Sequence, residues 1–521
     1  MVVVFQVSEY PTWQRDQSKP ASDNADRKQV PSQSVSYPDH SLLLSLPPTL
    51  NSETFDSGTL SHPMATQEED AIAKELNQQL RSIRAAPRNS EKAASLERDF
   101  VRRLIELVSC PYSSVKTLVA RNLPNYVTSS EDFEEDILNA VYDLCEDLDS
   151  NIRKEGYAAI TKVSTHLKKY VKRNADVLVQ LLQSDEPDEV KVVELQLVKH
   201  LDMNPTVTLN VLCDQVVPTE EVLDEEEQAV RDRLRSLVIE FMRGRAKQNI
   251  IRHATAGPTD PTVALLFDRV TDFISRLSPS DSEILVKDIM LSLPGTGSGS
   301  ERSKQLLLAI LEATETTFQS ESQNQTANLL THTRHLMSLA SYIALEKSLA
   351  SPGEIVRFWC PNRISTVTAE DLDETFRLFA FDNILRAYDN IPAQNIKADA
   401  PAQVRKSLLD ACIPLLSRAL ETRVDAQKSW SAYRGLLKAS KQHAVEMGWK
   451  VPSSLVSALQ TIQVQGEEDI AVAEGEEKTL LEEVQNLTLV RTGQSSILAN
   501  CVQHFSLLYL NSHYLGYRKV W

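Results

Sequence analysis

Glycine is scarce in this chain, with 14 in 521 residues, and sustained period-two alternation of β-branched residues is almost absent. Sheet proteins need both, for tight turns and for half-buried strands, so a β-rich fold is excluded and an all-helical one is expected. The six cysteines stand singly at 110, 145, 213, 360, 412 and 501, without a CxxC pair or a companion histidine spacing. That excludes a zinc-finger type of site and a disulfide framework, and fits a reducing compartment. No apolar run approaches the roughly 18 residues that would cross a bilayer. The opening MVVVFQVSEYPTW has neither the basic leader nor the apolar length of a secretory signal, which gives the expectation of a soluble intracellular protein. Positive charge is also short: 55 Lys and Arg against 72 Asp and Glu leave a formal net charge of -17. Such a surface on average repels phosphate backbones, so direct nucleic-acid binding is disfavoured.

Catalytic patterns are missing as well. Gly295-Thr296-Gly297-Ser298-Gly299-Ser300 has no Gly-Lys-Ser/Thr ending and no strand before it, so it reads as a flexible inter-helix loop rather than a phosphate loop. His332 and His335 lie one helical turn apart, with no cysteine or paired carboxylate on their face to complete a metal site. No nucleophile-elbow glycine spacing occurs. The chain is therefore read as non-enzymatic, without metal or cofactor.

What is present is a period. The apolar-basic pairs Val115-Lys116, Ile152-Arg153, Val190-Lys191 and Val230-Arg231 follow one another at separations of 37, 38 and 40 residues, within the range of stacked repeats. Eight residues after each pair stand Leu123, Ile160, Val198 and Val238, and eleven after stand Tyr126, Val163, Leu201 and Phe241. Offsets of 0, 8 and 11 fall on one narrow helix face, so each unit is expected to end in a helix with a buried stripe. Polar or acidic turns precede the pairs: Ser113-Ser114, Asp149-Ser150-Asn151, Asp185-Glu186-Pro187-Asp188 and Asp224-Glu225-Glu226-Glu227. They offer caps and negative charge to the start of the next helix. A helix pair cannot bury its apolar face alone. The expected fold class is therefore all-α, a HEAT/ARM-like helical-repeat solenoid, an α-α superhelix.

Four regions follow. Residues 1–63 hold seven of the 23 prolines and eleven serines and read as a disordered extension, with Met64 resembling a protein start. Residues 64–255 are the HEAT-like repeat domain and 256–465 a less regular, ARM-like helical domain, the boundary being marked by Gly257-Pro258-Thr259-Asp260-Pro261. Residues 466–521 comprise an acidic segment and an atypical aromatic tail.

Two stretches are candidate contact sites. Lys168, Lys169, Lys172 and Arg173 form the compact basic run, which reads as a solvated rim or as a contact for an acidic partner or import receptor. Leu178, Leu181 and Leu182 form an LxxLL box, whose i, i+3 and i+4 leucines share one helix face. Such leucines either dock in a partner's groove or pack inward; Val177 and Val179 beside them favour inward packing.

The stretches DLCEDLDSNIRKEGYAAI (143–160), VLVQLLQSDEPDEV (177–190) and AVRDRLRSLVIEFM (229–242) resemble, in order and spacing, the apoptosis inhibitor 5 family. The resemblance implies a HEAT-like amino-terminal half and an ARM-like carboxyl-terminal half. It implies a nuclear protein, also present in cytoplasm, that acts as a monomeric protein-binding scaffold restraining cell death. The partners it implies are Acinus and fibroblast growth factor 2, with the LxxLL box on Leu178, Leu181 and Leu182. The leucine-zipper-like helix and basic nuclear-localisation tail of animal members are not found here. An adaptor in nuclear RNA processing or transcription is the alternative.

Overall fold

The computed structural model describes residues 63–492 apart from short stretches at 88–89, 130, 219–222, 256–259, 324–329 and 423–429. The expected disordered extension, up to residue 62, and the aromatic tail from 493 lie outside the described residues. Every regular element among the described residues is helical. In the first half these are α1 (Pro63–Ala85), α2 (Glu91–Glu106), α3 (Ser113–Asn122), α4 (Glu134–Cys145), α5 (Ser150–His166), α6 (Val171–Gln180), α7 (Pro187–Met203), α8 (Pro205–Val216), α9 (Glu225–Arg243) and α10 (Lys247–His253). They form stacked pairs: α4 packs on α5 and α6 on α7 within units, while α3 packs on α5, α5 on α7 and α6 on α8 between units.

The turns do what their polar residues suggest. Asp149 accepts from the Asn151 amide at the start of α5, and Asp224 from the Glu227 amide at the start of α9. Asn204 accepts from the Val207 amide at the start of α8, and Pro187 and Pro205 occupy first-turn positions where no N–H is needed. Gly156 lets α5 approach α4, because a Cβ there would lie 2.9 Å from both the backbone N and the Sγ of Cys145.

The basic residues of the first two pairs are inter-unit ties. Lys116 reaches forward 2.5 Å to Asp147. Arg153 grips Glu189 through Nε at 3.1 Å to both carboxylate oxygens, and its Nη1 donates to the Asp147 and Leu148 carbonyls at 2.7 and 3.1 Å. The Tyr157 hydroxyl donates to the same carboxylate at 2.9 Å.

This tie corrects the repeat register. Ile152 is buried as expected, but 37 residues on the equivalent buried position is Glu189, not Val190, which is only half-buried. The stripe of α7 is Glu189, Val193, Gln196, Leu197, His200 and Leu201. Ile160 therefore corresponds to Leu197, and Val198 is half-buried rather than a core equivalent. The cause is the Arg153 and Tyr157 donors, which let a carboxylate replace an apolar residue at a buried position. Val230 departs further: it is 48% exposed, because α9 begins before the core does and its stripe starts at Leu234. Tyr126 is also only half-buried, against Phe100, whereas Leu123, Val163, Leu201, Val238 and Phe241 are buried as the offsets predict.

Packing continues past residue 255, where α8 meets α11 (Pro261–Phe273). Beyond lie α12 (Pro279–Ile284), α13 (Glu301–Gln323), α14 (Thr331–Ser341), α15 (Pro352–Trp359), α16 (Ile364–Val367), α17 (Glu374–Asp389), α18 (Ile396–Asp399), α19 (Ala402–Thr422), α20 (Trp430–Met447), α21 (Ser453–Val472) and α22 (Gly475–Thr492). One row runs α14, α17, α20, α22, while α19 packs on α21. Gly435 permits the α17–α20 contact, since a Cβ there would stand 2.3 Å from the Leu385 carbonyl oxygen. Asp389, its side chain fully buried, accepts from Lys438 at 2.9 Å and Arg434 Nε at 2.7 Å. Glu483 of α22 meets the same two cations at 3.7 and 2.9 Å. The acidic stretch Gly466–Glu483 is thus helical, in α21 and α22, and the second of these buries Leu481 and Val484 against the array.

The corrected register has a direct consequence. Ile160→Ala is expected to cost about 2–4 kcal/mol in a denaturant melt, and Val198→Ala clearly less, under about 1 kcal/mol. Equal losses at both positions would restore the 38-residue step.

Candidate functional site

Both candidate stretches fall on one structural unit, the 3-10 turn Lys168–Tyr170 running into α6 and the 3-10 turn Leu181–Gln183 that ends it. Lys168, Lys169, Lys172 and Arg173 are all exposed on this unit. Two of them are engaged by the preceding unit: Lys169 pairs with Glu134 at 2.5 Å and Arg173 with Glu135 at 3.1 Å. Hydrogen bonds from Lys169 and Tyr170 hold the Glu134 carboxyl below its usual range. Burial first, and then the Glu134 and Glu135 carboxylates, push the Tyr170 phenol up. Arg173 also lies over the Tyr142 ring, 5.2 Å from its centroid. The run is therefore a partly neutralised rim, with Lys168 and Lys172 outside any ion pair among the described residues. The acids Glu134 and Glu135 were not legible as its partners, since nothing local in the sequence links residues more than thirty apart.

The leucines do not share one environment. Leu178 and Leu182 are buried and Leu181 is half-buried, because the helix tightens into 3-10 geometry at Leu181 and turns that side chain toward the boundary. Val179 is buried and Val177 half-buried. The box belongs mainly to the core, with only Leu181 offering a partial surface.

A polar chain beneath α6 fixes it in place. The Tyr142 hydroxyl donates to Asn174 Oδ1 at 2.7 Å, and Asn174 Nδ2 donates to Ser164 Oγ at 2.8 Å. Ser164 Oγ lies 3.0 Å from His200 Nε2, and His200 Nδ1 lies 3.0 Å from the Gln196 carbonyl. A carbonyl only accepts, so Nδ1 carries the proton and Nε2 accepts from Ser164. Every member then donates in one direction across α4, α6, α5 and α7. Asn174, Ser164 and His200 are fully buried, and burial pushes the His200 imidazole down to about 4.

The other sequence candidates are placed as follows. The Gly295–Ser300 loop is tied to a turn before α15, with the Gly299 amide donating to the Leu349 carbonyl at 2.8 Å and Ser298 Oγ to the Ser348 carbonyl at 2.8 Å. His335 Nε2 lies 3.1 Å from Ser282 Oγ, and the His332 amide donates to Glu321 at 3.1 Å. Among the described residues no group of three His, Cys, Asp or Glu is placed to hold a metal ion, and no helix is long and apolar enough to cross a membrane.

Stacked helix pairs, inter-unit ion ties and a row of packed helices define a helical-repeat protein. The family model of apoptosis inhibitory protein 5 matches residues 87–385, and the chain belongs to that family. Apoptosis inhibitor 5-A of Xenopus laevis is 34% identical over 110 residues, which is 21% of this chain and 21% of that protein. Apoptosis inhibitor 5 of Homo sapiens and of Mus musculus are each 31% identical over 110 residues, again 21% of each chain. The alignable stretch thus spans about a fifth of the length of these relatives. Among solved structures, a C-terminal fragment of the Chaetomium thermophilum cohesin loader SCC2 aligns over 84% of this chain and 42% of its own. Its TM-score of 0.20 and identity of 11% are too low to bear on the fold.

Two measurements test this geometry. Leu178→Ala is expected to lower stability by about 2–4 kcal/mol in a denaturant melt, and Leu181→Ala by roughly half as much or less. The His200 depression has a defined sign. An unfolded histidine titrates near 6.5, so between there and about 4 the unfolded chain binds a proton that the folded chain does not. The contribution is complete above pH 6.5 and is lost as pH falls toward 4, up to roughly 3 kcal/mol. Urea melts across that range are expected to show the slope in the native chain and its loss in His200→Gln.

Proposed function

We propose that this chain is a non-enzymatic protein-interaction scaffold that restrains cell death from the nucleus. The observation that supports the reading most is the family match over residues 87–385, covering the repeats whose helices stack into one continuous core. Long rows of parallel surface helices present many side chains on a fixed frame, which suits extended protein contacts. The resemblance adds partners of the Acinus and fibroblast growth factor 2 kinds. The alternative, an adaptor in RNA processing that grips RNA through residues 168–173, has less support, since Lys169 and Arg173 already pair with Glu134 and Glu135.

Depleting the protein from its native cells is expected to raise the fraction dying after nutrient withdrawal, and the tagged chain is expected to co-precipitate Acinus from nuclear extract. Unchanged survival together with a salt-sensitive shift of labelled RNA, lost on charge reversal at Lys168 and Lys172, would favour the adaptor instead.

A further inference from the structure

The 37-residue step that aligns α5 with α7 also aligns their outward faces. It superimposes Lys154 on Lys191, Ala158 on Leu195 and Lys162 on Lys199. The two helices are tied at both ends by contacts between units, from Arg153 to Glu189 and from Ser164 to His200, each spanning 36 residues. Two lysines thus stand toward the amino-terminal ends of the two helices and two more, eight residues on, toward their carboxyl-terminal ends. Eight residues span about 12 Å along a helix, and packed helices lie about 8–10 Å apart. The four ammonium groups therefore frame a patch roughly two turns long.

The centre of that frame is apolar. Leu195 is 39% exposed, and Ala158, Val192 and Val198 are half-buried around it. Ala158 is the small member of the alignment, occupying in α5 the place that Leu195 occupies in α7. Lys162 Nζ donates to the Arg121 carbonyl at 3.2 Å and Lys199 Nζ to the Gln196 side chain at 3.1 Å, which position both amines without neutralising them. Lys154, Lys162 and Lys199 form no ion pair among the described residues, and Lys191 meets only the exposed Asp188, at 2.9 Å. Asp188 also lies within electrostatic reach of Lys154; of the other acids bordering the frame, Glu155 pairs with Arg121, Asp202 accepts from Asn249 and faces His253 and Arg252, and Glu194, beside Leu195, lies within electrostatic reach of Arg245.

We propose that this face is a docking site for an acidic amphipathic helix of a partner protein. The inference rests on the scaffold reading and names one surface and one ligand class for it. A helix lying over the outward faces of α5 and α7 would set carboxylates separated by two turns against the two lysine pairs. A leucine or similar residue between them would cover Leu195, Val192 and Ala158, so that charged and apolar parts are both matched. A cationic frame is uncommon on a chain of net charge -17, and it selects an acidic occupant. The apolar centre selects protein over nucleic acid, since a phosphate backbone gains nothing from covering Leu195, Val192 and Val198.

The test is fluorescence anisotropy on the full chain, with a fluorescein-labelled amphipathic helical peptide of leucine, alanine and glutamate, three heptads long, and with labelled oligouridylate as comparator. Saturable peptide binding is expected, weakened about tenfold or more by Lys162→Glu with Lys199→Glu and by Leu195→Asp, with melting curves unchanged. Should Leu195→Asp lower the melt, Leu195→Ser is read in its place. Undetected peptide binding, variants that bind as the native chain does, or oligouridylate bound more tightly through the same lysines would overturn the proposal. Co-precipitation of Acinus that persists in the charge-reversed chain would mark failure of this site while leaving the scaffold reading standing.

Discussion

Glu189 is 1% exposed, a depth at which an unpaired carboxylate would cost several kcal/mol. Burial works to raise its pKa, yet hydrogen bonds from Arg153, Ser150 and Tyr157 outweigh it and hold the group ionised and below its usual range. Because Arg153 belongs to α5 and Glu189 to α7, neither unit can satisfy its own charge. Removing either partner strands the other, so the pair fixes which residue of one unit faces which residue of the next. The core position of Leu197 and the alignment of the outward lysines lie on the 37-residue step that puts Glu189 in the place of Ile152, and the Ser164–His200 contact repeats the 36-residue separation of Arg153 and Glu189.

The same logic recurs with different residues in the second half. Asp389 at the end of α17 is buried under Arg434 and Lys438 of α20, and Glu483 of α22 shares both cations. Asp399 accepts from Arg357 and from Ser351, at 3.1 Å for the serine, joining α18 to the start of α15. A repeat array has no single closed core, and each interface between units must resist sliding by itself. Apolar stripes supply area but little directionality; a buried ion pair with further hydrogen bonds supplies a register.

Function follows from which surfaces this leaves. Most of the LxxLL box is used up in holding α6 against α7 and α8, and half of the basic run is used up in holding the 168–173 turn against α4. What stays open is part of the outward row of the second helices: Lys191, Leu195 and Lys199 are exposed, and the bonds of the two lysines, to Asp188 and Gln196, stay within α7. On the proposed scaffold reading, partner contacts are expected on such faces rather than on the LxxLL box or the basic run.

The sequence by itself determined the all-helical class, the repeat, the polar turns and most of the stripe, because helix periodicity, capping and apolar spacing are local properties. Ile152, Ile160, Val163, Val238 and Phe241 were readable at sight, and so was the inward preference of Leu178 and Leu182. The third step was not. Val190 and Val198 look like the next members of the series, and a glutamate beside them looks like surface. Only the arrival of Arg153 and Tyr157 from the neighbouring unit makes Glu189 a core residue and moves the stripe by one position. The partners of Lys169 and Arg173, the Tyr142–Asn174–Ser164–His200 chain and the lysine frame around Leu195 were equally hidden, since each joins side chains of different helices, the contacts spanning from 10 residues for Asn174 and Ser164 to 38 for Arg173 and Glu135. Which polar groups are buried, and against what, is decided by packing between units, and that is a property of the tertiary structure alone.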